Sequence, residues 1–196
     1  MRMRRCYRAK MSITPEEARS LMHEWVQSES LRGHMEAVAA AMAHYGAIHE
    51  PTEVDRWTIT GILHDFDYEK HPTMEEHPFV GVSHLRERGD VDEGIIEAIL
   101  GHALYSGVER TTLMAKYLFA CDELSGLIVA CCKVRPDGIE SLQPKSVKKK
   151  LKDKAFAAAV SREDIALGME ELGVDPTEHI QGCIDGIRAA SERVGV

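Results

Sequence analysis

The 196-residue chain has no apolar run long enough to cross a bilayer. Five of its first ten residues are basic, and no apolar segment follows them, so they do not read as a secretory signal. Cysteine is sparse. Cys6, Cys121, Cys131, Cys132 and Cys183 are odd in number and contain no CxxC pair, and three of the five fall in one expected helix. That usage suits buried thiols in a reducing cytoplasm better than a disulfide framework, and for the vicinal Cys131-Cys132 packing is the expected role. No GxSxG, no P-loop and no GxGxxG occurs, which removes the serine-elbow and glycine-loop routes to hydrolysis or nucleotide binding. Strand signals, internal repeats, low-complexity tracts and long linkers are also lacking.

What is present is a soluble-protein composition, 44% hydrophobic and 29% charged, with chain enough to bury a core. The net charge of -8 is uneven. Arg2, Arg4, Arg5, Arg8 and Lys10 are five of the 24 basic residues, leaving 19 against 32 acidic side chains, a net of -13, over 11–196. So acidic a body is a poor partner for duplex nucleic acid, although bound metal ions can still make a local positive site. Residues 1–12 are expected to be a disordered arm and 13–196 one domain, located in the cytoplasm.

The hydrophobic pattern is helical throughout. Thr14-Pro15-Glu16-Glu17 opens a first helix that runs to about Gln27. A second spans about Leu31 to Tyr45 and ends at Gly46, with His34 on its apolar stripe. Thr52 caps a third, which ends near His64-Asp65; residues 67–72 then form a loop placed to contact substrate. His77-Pro78 opens a fourth helix, and His84 follows two turns later on the same face. Asp92 caps a fifth, whose inward stripe ends on His102. A sixth runs from about Thr111 to Lys133, with Asp122 at the margin of its buried stripe and Glu123 expected to be solvated. Beyond the turn at Arg135-Pro136-Asp137-Gly138, the lysine run 145–154 reads as a solvated helix face. Ser161 and Asp175-Pro176 then start two last helices, the second ending by Val194.

Histidine and aspartate on inward stripes are costly to bury unless paired or bound to a metal. His34, His64, Asp65 and Asp122 are the candidate ligands of one ion. His102 and either His77 or His84, with Asp65 bridging, are candidates for a second. Such donors suit zinc, iron, manganese, nickel or cobalt. A paired site clamps both ends of a phosphoryl displacement and needs no serine or cysteine nucleophile.

In this order, His34, His64-Asp65 and Asp122 resemble the HD-domain superfamily of metal-dependent phosphohydrolases. His77-Pro78 and Gly101-His102 resemble its dinuclear members, which include the HD-GYP phosphodiesterases and HD-type diadenosine tetraphosphate hydrolases. In those families the fifth ligand opens a helix after the His-Asp loop, which selects His77 over His84. The resemblance covers about residues 20–135. No Gly-Tyr-Pro motif is present, so cyclic di-GMP hydrolysis is not implied, and the chain lacks the surrounding sequence of the large dNTP triphosphohydrolases.

The resemblance implies an all-α, HD-like helical bundle with additional C-terminal helices over 145–196. It implies one or two divalent transition-metal ions, with Asp65 and His64 as catalytic residues. The expected substrate is a small phosphomonoester or phosphodiester, a nucleotide foremost, with no membrane partner. Arg110, Lys116 and Lys148 are candidate phosphate contacts by nearness to the motifs. Two other functions share the ligand order or the compact size: di-iron oxygenation by HD-fold proteins, and non-catalytic nucleotide sensing.

Overall fold

The computed structural model describes residues 12–196, so all but Ser12 of the expected N-terminal arm lies outside the described residues. Every regular element among the described residues is helical: α1 Pro15–Trp25, α2 Glu29–His49, α3 Val54–Leu63, α4 Phe79–Arg88, α5 Glu93–His102, α6 Leu113–Lys133, α7 Pro144–Leu151, α8 Arg162–Leu172, α9 Pro176–Ala189 and α10 Ser191–Val194. A single 3-10 turn, Leu104–Ser106, follows α5. None of these helices is long and apolar enough to cross a membrane.

Side-chain caps set many of the starts. Thr14 and Glu17 form a reciprocal capping box at α1. Asp92, Thr112, Ser161 and Asp175 each accept from a backbone N–H in the first turn of α5, α6, α8 and α9. Two expected boundaries differ. Helix α3 starts after Glu53 without a side-chain cap, and Thr52 lies exposed in the preceding turn. Helix α2 does not stop at Gly46 but runs on to His49. Gly46 is there for close approach: a Cβ at that position would sit 3.0 Å from the Trp57 side chain on α3. The expected last helix also breaks, at Ala190, into α9 and α10.

The two 21-residue helices α2 and α6 form the centre. Helix α3 lies along α2, and α5 bridges α3, α4 and α6. On the other side α9 packs on α2 and α6, while α8 packs on α6. Trp57, Ile59, Ile62 and Leu63 of α3 are at most 2% exposed. Each such side chain contributes about 1.5–3 kcal/mol by leaving water. Gly61 makes the α2–α3 seam possible, since a Cβ there would lie 2.5 Å from the Ala39 Cα. That tight seam carries the C-terminal end of α3 up to the N-terminal half of α2, where His34 lies.

Candidate metal centre

His64 follows the last residue of α3, still in right-handed helical conformation, and Asp65 begins the turn after it. A helix end can direct two successive side chains into one cleft, and here they meet His34 of α2 and Asp122 of α6. His34 Nε2 lies 3.0 Å from Asp122 Oδ1 and 3.6 Å from Asp65 Oδ2. His64 Nε2 lies 3.2 Å from His34 Nε2, 3.3 Å from Asp65 Oδ2 and 3.4 Å from Asp122 Oδ1. The other oxygen of Asp65 faces a second cluster. His77 Nε2 and His102 Nε2 are each 3.3 Å from Asp65 Oδ1 and 3.2 Å from one another.

The backbone and one further carboxylate orient these rings. A carbonyl oxygen can only accept, so the Nδ1–H of His64 donates to Gly61 O (2.8 Å), and that of His102 donates to Ile99 O. The Nδ1–H of His77 donates to Asp67 Oδ1 at 2.8 Å. In the neutral ring each Nε2 is then a bare lone pair aimed into the cluster. Electron-rich atoms facing one another 3.0–3.6 Å apart repel unless a cation or a proton lies between them. Donors bonded to one ion at about 2.0–2.2 Å sit about 2.8–3.6 Å apart for angles of 90–109°. The donor set therefore fits two divalent ions sharing Asp65.

The charged forms report the same field. Burial alone would lower the pKa of His64, but the Asp65 and Asp122 carboxylates beside it carry it well above the ordinary value. Burial likewise acts to raise Asp65 and Asp122, and the imidazoles overcome it and hold both carboxyls low: His64 and His102 for Asp65, His64 and His34 for Asp122. Glu123, next along α6, is half-buried rather than solvated, and accepts from Ser161 N at 3.0 Å. Burial, together with the Asp122 charge, pushes its pKa up to about 7.

All six residues expected as ligands therefore come together. His84 does not join them; its ring packs at a tilt against Trp25, with centroids 4.8 Å apart. Sequence reasoning missed the role of Asp67, which it left in a substrate-facing loop. Asp67 is 1% exposed and accepts from His77 Nδ1 and, at 2.7 Å, from Gly81 N. Gly81 allows this: a Cβ there would lie 2.8 Å from the Asp67 carboxyl. The spacing of Asp67 two residues after Asp65 was the available signal. The rest of that loop has other partners. Glu69 accepts from Gln27 N and Ser28 N, Lys70 lies over the Trp25 ring, and His71 pairs with Glu76.

The three basic candidates are placed differently. Arg110 forks onto Glu171, donates to Gly101 O at 2.7 Å and stacks on Phe119. A phosphate contact would require giving up those bonds. Lys148 donates to Thr177 and lines a groove of about 650 Å³ between α7, α8 and α9. Lys116 lies on α6, half-buried, where its charge acts on Glu171.

Exposed aromatic and aliphatic side chains lie close in sequence to the candidate ligands. Tyr68, Met74, Phe79, Leu104 and Tyr105 are five of the eight exposed large hydrophobic residues among the described residues, and each lies within three positions of Asp65, His77 or His102. Tyr68 packs edge-on against the His77 ring at 5.1 Å, and Tyr105 is near enough for Asp65 and Tyr68 to act on its phenol.

An all-helical bundle whose central helices bring histidines and aspartates into one centre is the architecture of a metal-binding helical domain. The family model for the HD domain matches residues 31–127, from the first turn of α2 into α6, so the segment that carries the six candidate ligands forms an HD domain. No curated protein and no solved structure matches it.

Proposed function

We propose that the protein is a metal-dependent phosphohydrolase acting on a small phosphomonoester or phosphodiester, with a nucleotide as the favoured substrate. The observation that carries this reading is the shared carboxylate. One oxygen of Asp65 lies among His34, His64 and Asp122, the other beside His77 and His102. His34, His64, Asp65 and Asp122 would hold one ion; Asp65, His77 and His102 would hold the other. When bound, such ions supply Lewis acidity and an acidified water that serves as nucleophile.

The chain's own residues position that chemistry. The Nδ1–H bonds of His64 and His102 to helix-end carbonyls keep their rings from turning. Asp67 does the same for His77. The open side lies toward His34, Asp65 and Asp122, whose side chains are 15–21% exposed, so a phosphate can reach the centre from there. Tyr68 and Tyr105, both exposed and near the centre, could stack on a planar base, which supports the nucleotide assignment.

The test is phosphate release from a panel of nucleotides and p-nitrophenyl esters by protein loaded separately with manganese, iron, zinc, nickel or cobalt. Asp65→Asn is expected to abolish release, and nucleotides are expected to exceed sugar phosphates in kcat/KM. Release that survives Asp65→Asn, or none with any metal, refutes the proposal. Oxygen consumption by the iron-loaded protein, with no phosphate release, would instead indicate an oxygenase.

A further inference from the structure

A second group of metal-ligating side chains lies outside the centre just described, between α6 and α9. Cys121, His179 and Cys183 are each no more than 2% exposed. Cys183 Sγ is 3.8 Å from Cys121 Sγ and 3.9 Å from His179 Nε2, and one donor atom from each of the three lies within 4.8 Å of the others.

The Tyr45 hydroxyl lies 2.9 Å from both His179 Nδ1 and His179 O and has one hydrogen to give. If it goes to Nδ1, the ring hydrogen is on Nε2 and is donated to Ala120 O at 3.1 Å, since a carbonyl can only accept. If it goes to His179 O, the Nδ1–H donates to the phenol oxygen and Nε2 keeps a lone pair free for a cation, with two sulfurs alongside. Tyr45 can thus serve the ring in both its metal-free and its metal-bound state.

We propose that Cys121, His179 and Cys183 bind a thiophilic d10 cation, Zn2+ or Cu+, at a structural site distinct from the His/Asp centre. Thiolate and imidazole donors at about 2.0–2.3 Å from one ion, in trigonal or tetrahedral array, stand about 3.5–4.0 Å apart, matching the two Cys183 separations. Two thiolates and a neutral imidazole cancel the charge of Zn2+, which suits a dry interior, and soft sulfur disfavours the harder ions suited to the carboxylate-rich centre. The site would also join two parts of the chain. Cys121 precedes Asp122 on α6, whereas His179 and Cys183 lie beyond residues 31–127, so the ion would clamp α9 to the helix that carries Asp122.

The full-length protein is to be produced reduced, in cobalt-supplemented medium, and its absorption recorded. A thiolate-to-cobalt charge-transfer band is expected in the near ultraviolet, which imidazole and carboxylate ligands do not produce. The band should persist in His34→Ala and disappear in both Cys121→Ser and Cys183→Ser. In a parallel arm, wild type should retain one equivalent of Cu+ against a Cu+ chelator and the two serine variants none, and metal content after zinc-supplemented growth decides between the ions. No thiolate band and no retained Cu+ or Zn2+ in wild type would overturn the proposal, leaving a buried, hydrogen-bonded Cys/His/Tyr network. A band insensitive to both serine substitutions would overturn it equally. The wild-type measurement decides even where a variant fails to fold.

Discussion

Replacing Asp67 by asparagine keeps the side chain's volume and removes one of its two functions. The carboxylate accepts twice, from His77 Nδ1–H at 2.8 Å and from Gly81 N–H at 2.7 Å. Asparagine has one acceptor oxygen and one donor amide. If its oxygen serves His77, the Gly81 N–H is buried without a partner, at a cost of about 1–3 kcal/mol. If its oxygen serves Gly81, the amide must donate to His77 Nδ1, and the ring hydrogen moves to Nε2. It would then point at His102 Nε2 and Asp65 Oδ1, where the second ion is proposed to sit.

The metal-free protein should lose about 2–4 °C of Tm per kcal/mol at this chain length. Affinity for the ion held by His77 and His102 should fall about 10–100-fold, or about 1.4–2.7 kcal/mol, as when other orienting carboxylates behind metal-bound histidines are lost. Affinity of the Asp122 side should be nearly unchanged. Calorimetric titration with Mn2+ and thermal melts in a chelator measure both. An Asp67→Asn protein with unaltered Tm and two ions bound at wild-type affinity would refute the role assigned to Asp67.

Stability should depend on pH in opposite senses with and without metal. His64 is carried above 6.5 when folded, so its contribution is complete below about 6.5 and fades as pH rises through the raised value. Asp65 and Asp122 are held low, so their contributions are lost only as pH falls below the ordinary carboxylate range, about 3.9. Tm in a chelator should therefore peak between about pH 4 and 6.5 and decline above, while with saturating Zn2+ or Mn2+ it should rise with pH, because ion and proton compete for Nε2. A chelated protein equally stable from pH 5 to 9 would contradict this. Glu123, pushed up to about 7, opposes folding once ionised, so Glu123→Gln should raise Tm at pH 8 and leave it unchanged near pH 4 in the same assay. Arg110→Ala and Glu171→Ala should each lower Tm and combine less than additively. An Arg110→Ala variant of normal stability but raised KM would restore Arg110 as a phosphate contact.

That the six candidates would meet was legible in part from helical spacing, which put His34 and His102 on apolar stripes where an ionisable ring needs a partner, and in part from the family resemblance, which selected His77 over His84. Helix starts were legible wherever a cap is made by one side chain, as at Asp92 and Ser161. What escaped depends on contacts between distant segments. Gly46 reads locally as a stop, and only Trp57 arriving from α3 explains its place inside α2. Asp67 and Glu123 read as polar loop and surface residues until Gly81 and Ser161 supply their donors. The commitment of Arg110 is likewise invisible without Glu171, 61 positions away. Neighbouring basic residues in sequence say nothing about which carboxylate has already claimed them.

One carboxylate with an oxygen in each cluster has a consequence for loading. The two oxygens of Asp65 share a single torsion, so an ion that captures one sets the angle at which the other is presented. The first equivalent would fix the plane in which the second ion is received, a gain set against the repulsion between two cations on one carboxylate, so the sign of the coupling between the two binding steps reports which of the two dominates.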